Sequence, residues 1–158
     1  MKKHLLVWLV TLMLILYTES ALAASWRWVE SSDTTGWYID INSLNYKWSY
    51  NGGNMYICFW SMEKYEDPDY RYERAKQAKK YYPYFDFNGF YYEIGKQEYY
   101  YKNNQLYCRF LSSNFYRKDD SLIGSDNSVS GWTAIVPNSV GEMLYYKALG
   151  LYNEIYEK

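Results

Sequence analysis

Apolar and aromatic residues alternate with polar ones along much of the chain, beginning within residues 26–65. Short runs around Trp28, Ile39 and Ile57 are rich in Trp, Tyr and Ile, which favour β-strands. The Asn-Gly-Gly-Asn segment at 51–54 predicts a hairpin, because glycine and asparagine tolerate positive φ. These runs predict a nucleus of antiparallel strands to which the rest of the chain adds.

The alternation returns in the second half of the chain, with long aromatic runs at 90–101 and 105–116. Shorter runs at 121–125 and 132–136 predict two further strands. Consecutive strands joined by short turns pair antiparallel, so we expect one antiparallel β-sheet of about five to seven strands.

Two segments carry helical signals. Asp67 and Pro68 suit the N-cap and first position of a helix whose apolar stripe is thin, so this helix should lie outside. Ser139 and Glu142 form a capping box before a second helix. Its apolar positions recur every three or four residues, at Val140, Leu144, Ala148, Leu151 and Ile155. The sequence therefore predicts an α+β fold, with the C-terminal helix packed on one sheet face and a more polar helix between strands.

Residues 1–23 have the order of an export signal. Lys2 and Lys3 precede an apolar run at 5–17, and Ala21-Leu22-Ala23 offers a small-residue cleavage site. The apolar run is too short for a permanent membrane span. We therefore expect a signal peptide at 1–23, one mature domain at 24–158, and a secreted, periplasmic or cell-envelope bacterial protein without a transmembrane anchor after cleavage.

Composition narrows the function further. The mature chain carries 15 basic and 17 acidic side chains, which gives no electrostatic case for nucleic acid. The mature chain has no histidine, because His4 is expected to leave with the signal peptide, and this excludes histidine-based catalysis and histidine metal ligands. No phosphate loop or metal-binding pattern appears. The expectation is a protein that is not an enzyme, with no catalytic residues, no metal site and no cofactor.

The acidic residues in and near the tyrosine-rich segment 81–101 are the only residues whose pattern suggests catalysis. Asp86, Glu93 and Glu98 accompany many tyrosines, and glycosidases use paired carboxylates. Their spacing does not match that of a catalytic carboxylate pair. Acidic residues that alternate with tyrosine more often form the solvent-exposed face of a strand. Asp40 precedes Asn42 at a strand end and suits a turn-stabilising role.

The mature chain contains two cysteines, Cys58 and Cys108. An even number in an exported chain favours a disulfide, and both lie on alternating strands, so we predict a bridge between neighbouring strands. The alternative is two buried free thiols, because cysteine is also a good core residue.

Tyrosine is in excess, with 22 in the chain. Tyrosine suits half-exposed faces because its ring is buried while its hydroxyl stays hydrogen-bonded or wet. The densest stretch suggests a candidate binding surface formed by Tyr91, Tyr92, Tyr99, Tyr100 and Tyr101. The alternative is that these rings simply cover a small core.

Several aromatic landmarks together resemble the bacterial surface-adhesin protein E-like family. They are the segments 28–32, 36–40, 59–65 and 132–139, with the helix that follows the last of them. The resemblance implies an antiparallel sheet with a C-terminal helix on one face, and binding of host matrix and serum proteins. The chain departs from that pattern because it has no lipobox cysteine and no cysteine in its C-terminal helix.

The resulting expectation is an exported, adhesin-like binding protein whose partner is a host matrix or serum protein. The alternative is a structural or assembly protein of the cell envelope, since tyrosine-rich sheets also pair with copies of themselves. Its partner would be an envelope component or a second copy in a homodimer.

Overall fold

The computed structural model describes residues 24–48 and 55–157. The predicted signal peptide and the 51–54 turn lie outside the described residues. The fold is α+β, as the sequence predicts. Eight strands form one antiparallel sheet, and two α-helices accompany it within this part of the chain. The strands are β1 (Trp26–Ser31), β2 (Thr35–Asp40), β3 (Asn45–Trp48), β4 (Met55–Tyr65), β5 (Phe90–Lys102), β6 (Gln105–Arg117), β7 (Leu122–Asp126) and β8 (Thr133–Ala134). The helices are α1 (Pro68–Tyr81) and α2 (Val140–Tyr156).

Three long strands, β4, β5 and β6, form the centre of the sheet. The order across it is β1-β2-β4-β5-β6-β7, with β3 also on β4 and β8 also on β6. Strands β2 and β3 pair with different segments of β4. Strands β7 and β8 likewise pair with different segments of β6. The eight segments therefore occupy six positions across the sheet, close to the expected number of strands.

Both helices begin where the sequence predicts. The Asp67 side chain accepts a hydrogen bond from the Tyr70 amide at 2.7 Å, and Pro68 occupies the first turn of α1. The Ser139 side chain accepts from the Glu142 amide at 3.4 Å at the start of α2. These bonds satisfy amides that have no partner within the helix. The predicted turn role of Asp40 is also present, since its carboxylate accepts from the Asn42 amide at 3.1 Å.

The two helices pack on the same face of the sheet, which we call the helix face. One core cluster joins Leu144, Ala148 and Leu151 of α2 to strand residues such as Ile57 and Phe59. A second cluster forms where α1 meets the other end of the sheet, and it contains Tyr65, Phe87, Phe90 and Phe115. The helices thus cover the two ends of this face, and a space remains between their packing sites. Within residues 24–48 and 55–157, neither helix is long and apolar enough to cross a bilayer.

Candidate functional site

The opposite face of the sheet carries most of the half-exposed rings, and no helix of the described residues packs on it. Cross-strand pairing assigns it from the alternation of side chains. We call it the aromatic face. Its aromatic residues are Trp26, Trp28, Tyr38, Tyr56, Trp60, Tyr92, Tyr100, Tyr107 and Tyr116.

Tyrosines on neighbouring strands of the aromatic face are stacked in pairs. The rings of Tyr92 and Tyr116 are 4.8 Å apart and nearly parallel, and those of Tyr100 and Tyr107 are 5.0 Å apart. Trp132, from the loop before β8, packs edge-on against Tyr100 at 4.5 Å. Such contacts fix the rings in place, so they lose little conformational entropy when a partner binds.

The five tyrosines predicted as a binding surface do not lie together. Tyr92 and Tyr100 lie on the aromatic face, as alternation along β5 requires. Tyr91 sits at a β-bulge, and its ring is approached by Lys64, Arg71 and Lys118.

The other two tyrosines point to the helix face. Tyr99 is 1% exposed and stacks on Phe59 in the core, so it cannot contact a partner. Tyr101 is exposed near the end of β5. Tyr99 is therefore removed from the predicted surface, because a strand sends alternate side chains to opposite faces. The sequence also missed Tyr107 and Tyr116, which only strand pairing brings beside Tyr100 and Tyr92.

A shallow groove crosses one part of the aromatic face. Its volume is about 600 Å³, and Tyr38, Tyr91, Tyr92, Lys64 and Asp120 are among its lining residues. The Tyr92 hydroxyl donates a hydrogen bond to the Asp120 carboxylate at 3.0 Å. The groove therefore combines rings with paired polar groups, a composition typical of protein-binding surfaces.

The three acidic residues weighed for catalysis lie in different places. Asp86 is exposed in the loop before β5, where its carboxylate is 3.6 Å from Arg117. Glu98 lies on the aromatic face and is 3% exposed, and it forms ion pairs with Arg109 at 2.6 Å and Lys47 at 3.3 Å. Glu93 lies on the helix face. The geometry therefore brings none of the three into a pair with another.

Glu93 instead faces an acidic residue that no pattern in the sequence singles out. Glu63 on β4 lies directly opposite Glu93 on β5. The Arg74 guanidinium of α1 is 3.9 Å from a carboxylate oxygen of each. Glu63 also accepts hydrogen bonds from Trp37 at 3.2 Å and from the Tyr65 hydroxyl at 2.9 Å. One guanidinium therefore lies close to two carboxylates. The carboxylates meet because of the strand register and not because of their spacing in the sequence.

This arrangement changes the protonation of Glu93. Burial, with the facing charge of Glu63 as the second cause, raises the pKa of Glu93 from its ordinary value of 4.5 to about 7. Arg74 opposes the shift by stabilising the charged form. At neutral pH the group therefore holds a proton part of the time.

The Glu63–Glu93 pair borders a cavity on the helix face, in the space between the two core clusters. Its volume is about 530 Å³, within the range of about 300 to 1,000 Å³ usual for ligand pockets. Strands β4, β5 and β6 form its floor, and α1 and the loop after β7 form its walls. The lining mixes carboxylates, hydroxyls and two side-chain amides with aromatic rings.

The predicted disulfide is wrong, since Cys58 and Cys108 are both free thiols. Strand β5 separates them, because Cys58 pairs with Glu98 and Cys108 pairs with Tyr99. Successive residues of β5 point to opposite faces, so the two thiols project from opposite faces across a strand spacing of about 10 Å, beyond disulfide reach. Burial raises the pKa of both thiols above the usual value.

Within residues 24–48 and 55–157, no group of three or more histidine, cysteine, aspartate or glutamate side chains is placed to hold a metal ion. Comparisons of the chain with protein-family models, with curated proteins and with solved structures found no match.

Proposed function

We propose that this chain is an exported, non-catalytic binding protein that uses its aromatic face to contact a partner protein. The observation that carries the proposal is the set of stacked, half-exposed tyrosines on a sheet face that no described helix covers. The partner class is a host extracellular matrix or serum protein. This choice rests on the resemblance of the aromatic landmarks to the surface-adhesin protein E-like family.

The physical case is that a ring held in place by its neighbours gains contact area at small entropic cost. Tyrosine, tryptophan and arginine are the residues most enriched among interface hot spots. The aromatic face offers all three, since the Arg109 guanidinium lies 4.4 Å from the centre of the Trp132 ring. The buried charge of Glu98 is paired with Arg109, so the surface does not expose an unpaired carboxylate there.

The alternative function is a structural or assembly protein of the cell envelope that pairs with a copy of itself. One observation favours it. Strand β1 pairs with β2 on one side only, and its other edge has no strand partner among the described residues. Trp28 on this strand is well exposed. An unpaired edge with an exposed ring is a template for adding a strand from another chain.

A binding experiment separates these functions. The mature chain, residues 24–158, is immobilised and exposed to purified matrix and serum proteins and to the envelope fraction of the producing cell. Saturable binding of a matrix or serum protein supports the adhesin-like function. Retention of envelope material alone supports the alternative, and retention of neither contradicts both.

A further inference from the structure

The cavity on the helix face takes no part in the proposed functions, because it opens on the other side of the sheet from the aromatic face and β1 does not line it. It lies between the packing sites of α1 and α2, and its volume is about 530 Å³. Packed cores contain few voids larger than a water molecule, whereas clefts of this volume are typical of ligand pockets. The charges and rings of the lining indicate which ligand the cavity suits.

Negative charge is in excess around the cavity. Among the described residues, the lining contains the three carboxylates of Glu63, Glu93 and Asp126 and a single basic side chain, Arg74. With all three acids ionised, three acids against one base leave an excess of two negative charges. A cleft with low-dielectric walls focuses the field of such charges, so the excess attracts cations and repels anions.

The protein compensates these carboxylates unequally. Asp126 accepts hydrogen bonds from the Tyr82 hydroxyl at 2.9 Å and from the Ser128 hydroxyl at 2.8 Å. Glu93 instead lies 3.9 Å from Arg74, whose guanidinium is equally far from the facing carboxylate of β4. Burial, with that facing charge as the second cause, raises the pKa of Glu93 to about 7. A carboxylate in a cleft whose charge is balanced incompletely in this way is typical of a binding site.

Aromatic rings form the apolar part of the lining. Phe110 of β6 is partly exposed and lies over Gly95, where an added Cβ would come within 3.2 Å of its ring. Tyr81 and Tyr82, at the end of α1, line the cavity as well. The face of an aromatic ring carries partial negative charge and attracts cations. The rings also give an alkyl chain an apolar surface to pack on, and this feature of the cavity is independent of its acids.

We propose that this cavity binds an alkylammonium cation, with its ammonium group at the carboxylates and its alkyl chain along the rings. An ammonium group supplies a positive charge and hydrogen-bond donors, which suit the acceptor oxygens of Glu63 and Glu93. An anion would add to the excess of negative charge, and a neutral molecule would leave that excess unbalanced. The aromatic lining favours a cation with an alkyl chain over a small inorganic cation.

Binding should depend on pH, because a proton competes with the cation for the carboxylate of Glu93. The groups that face Glu93 are Glu63 and Tyr65 of β4, Arg74 of α1, Tyr82 at the end of α1, and Ser113 of β6. Burial raises the pKa of Tyr82 to about 12 and that of Tyr65 well above its ordinary value, so neither tyrosine ionises near neutrality. The affinity should therefore fall about tenfold as the pH is lowered from 8 to 5.5, through the pKa of Glu93.

The test compares three five-carbon molecules that differ in their end groups: cadaverine with two ammonium groups, 1,5-pentanediol with two hydroxyls, and glutarate with two carboxylates. Each is titrated into the mature chain in phosphate buffer, which contains no competing amine, and binding is followed through backbone amide NMR signals. At pH 8 we expect saturable binding of cadaverine with a Kd of about 1 mM or tighter. The diol and glutarate should bind at least about tenfold more weakly. The amides that shift should be those around Glu63, Glu93 and Asp126.

Glu93→Gln tests the role of the incompletely balanced carboxylate. Glu73→Gln is its matched control, because Glu73 is an exposed acid of α1 that does not line the cavity. Each substitution removes one carboxylate, so a general attraction of cadaverine to the acidic groups of the protein would be affected alike. Glu93→Gln should weaken cadaverine binding about tenfold at pH 8 and remove its pH dependence, whereas Glu73→Gln should change neither. The NMR spectrum of each variant shows whether it is folded.

Five results would overturn the proposal. The first is the absence of saturable cadaverine binding. The second is binding of the diol or glutarate that is as tight as that of cadaverine. The third is a set of cadaverine shifts that map to the aromatic face around Tyr92 and Tyr100. The fourth is a Kd that stays constant between pH 5.5 and pH 8. The fifth is an equal effect of the two substitutions. The first four are read on the wild-type protein, so they do not depend on how a variant folds.

Discussion

Glu63 and Glu93 lie directly opposite each other on β4 and β5, and they share the single guanidinium of Arg74. Like charges opposite each other across a sheet are destabilising. The structure offsets this repulsion with Arg74, with the Tyr65 hydroxyl and with partial protonation of Glu93. The pair thus makes the helix face sensitive to pH near neutrality.

This pair leads to a prediction on the pH dependence of stability. The folded pKa of Glu93 is raised to about 7, so the fold favours the protonated form. The stabilisation that protonated Glu93 contributes is complete below about pH 4.5 and is lost as the pH rises through 7. Glu93→Gln mimics the protonated form and cannot ionise. The free energy of unfolding of Glu93→Gln minus that of wild type should therefore rise by about 2 to 3 kcal/mol between pH 4.5 and pH 8.5.

Urea denaturation of both proteins at several pH values measures this difference. Glu73→Gln is the matched control, because the Glu73 side chain is 56% exposed and its ion pair with Lys76 is also exposed. Its difference from wild type should stay nearly flat with pH. A Glu93→Gln difference that is equally flat would show that Glu93 ionises normally in the folded protein.

The two cysteines should remain free thiols in the folded protein. Because burial raises the pKa of both, they are largely protonated at neutral pH and should react slowly with alkylating reagents. Cys108 should react before Cys58, since it is less buried. Peptide mapping without reduction should find both thiols unpaired, and a Cys58–Cys108 linkage in that map would contradict the strand register.

The attachment of α2 to the sheet should depend on Leu144, which is 2% exposed in the core. Leu144→Ala removes a buried side chain and leaves a cavity, so it should lower the free energy of unfolding by about 2 to 5 kcal/mol. Tyr146→Ala, an exposed position on the same helix, should cost less than about 1 kcal/mol. Chemical denaturation measures both, and equal effects would argue against packing of α2 through this residue.

Binding of a partner protein should depend on the paired tyrosines of the aromatic face. Tyr92→Ser and Tyr100→Ser should each weaken the binding by about 1 to 2 kcal/mol while the fold survives. Tyr84→Ser is the control, because Tyr84 is 96% exposed just after α1. Tyr99→Ser should instead destabilise the fold. Unchanged affinity of the two surface variants, with circular dichroism showing an intact fold, would remove the aromatic face as the contact surface.

Export can be tested on the intact chain. The basic, apolar and small-residue order of residues 1–23 predicts cleavage near Ala23. Mass spectrometry of secreted or periplasmic material should give the mass of residues 24–158. A mass that retains Met1 to Ala23 would contradict the prediction.

Local signals were sufficient for the helices. Asp67 with Pro68, and Ser139 with Glu142, mark the observed helix starts because a cap bonds to amides within three residues of itself. The period of Leu144, Ala148 and Leu151 likewise predicts the buried side of α2. Each of these features depends on neighbours along the chain, so the sequence alone contains it.

Strand register is a different kind of information. Alternation correctly places Cys58 and Cys108 on strands, but it does not say that β5 lies between them or which face each one takes. For the same reason it could not select Glu63, whose partner Glu93 is 30 positions away. A shift of one residue in pairing would send every side chain of a strand to the other face.

The sequence by itself determined the α+β class, the helix starts and the alternating strands, because propensity, capping and periodicity act over a few residues. Only the tertiary structure decided that both helices cover one face, that Tyr92 and Tyr100 meet Tyr116 and Tyr107 on the other, and that Glu63 meets Glu93 beside a cavity. Apart from the Tyr100–Tyr107 contact, which spans a single hairpin, these contacts join residues far apart in the chain. They follow from how the strands pair and which face the helices bury, and both are settled by the packing of the whole core.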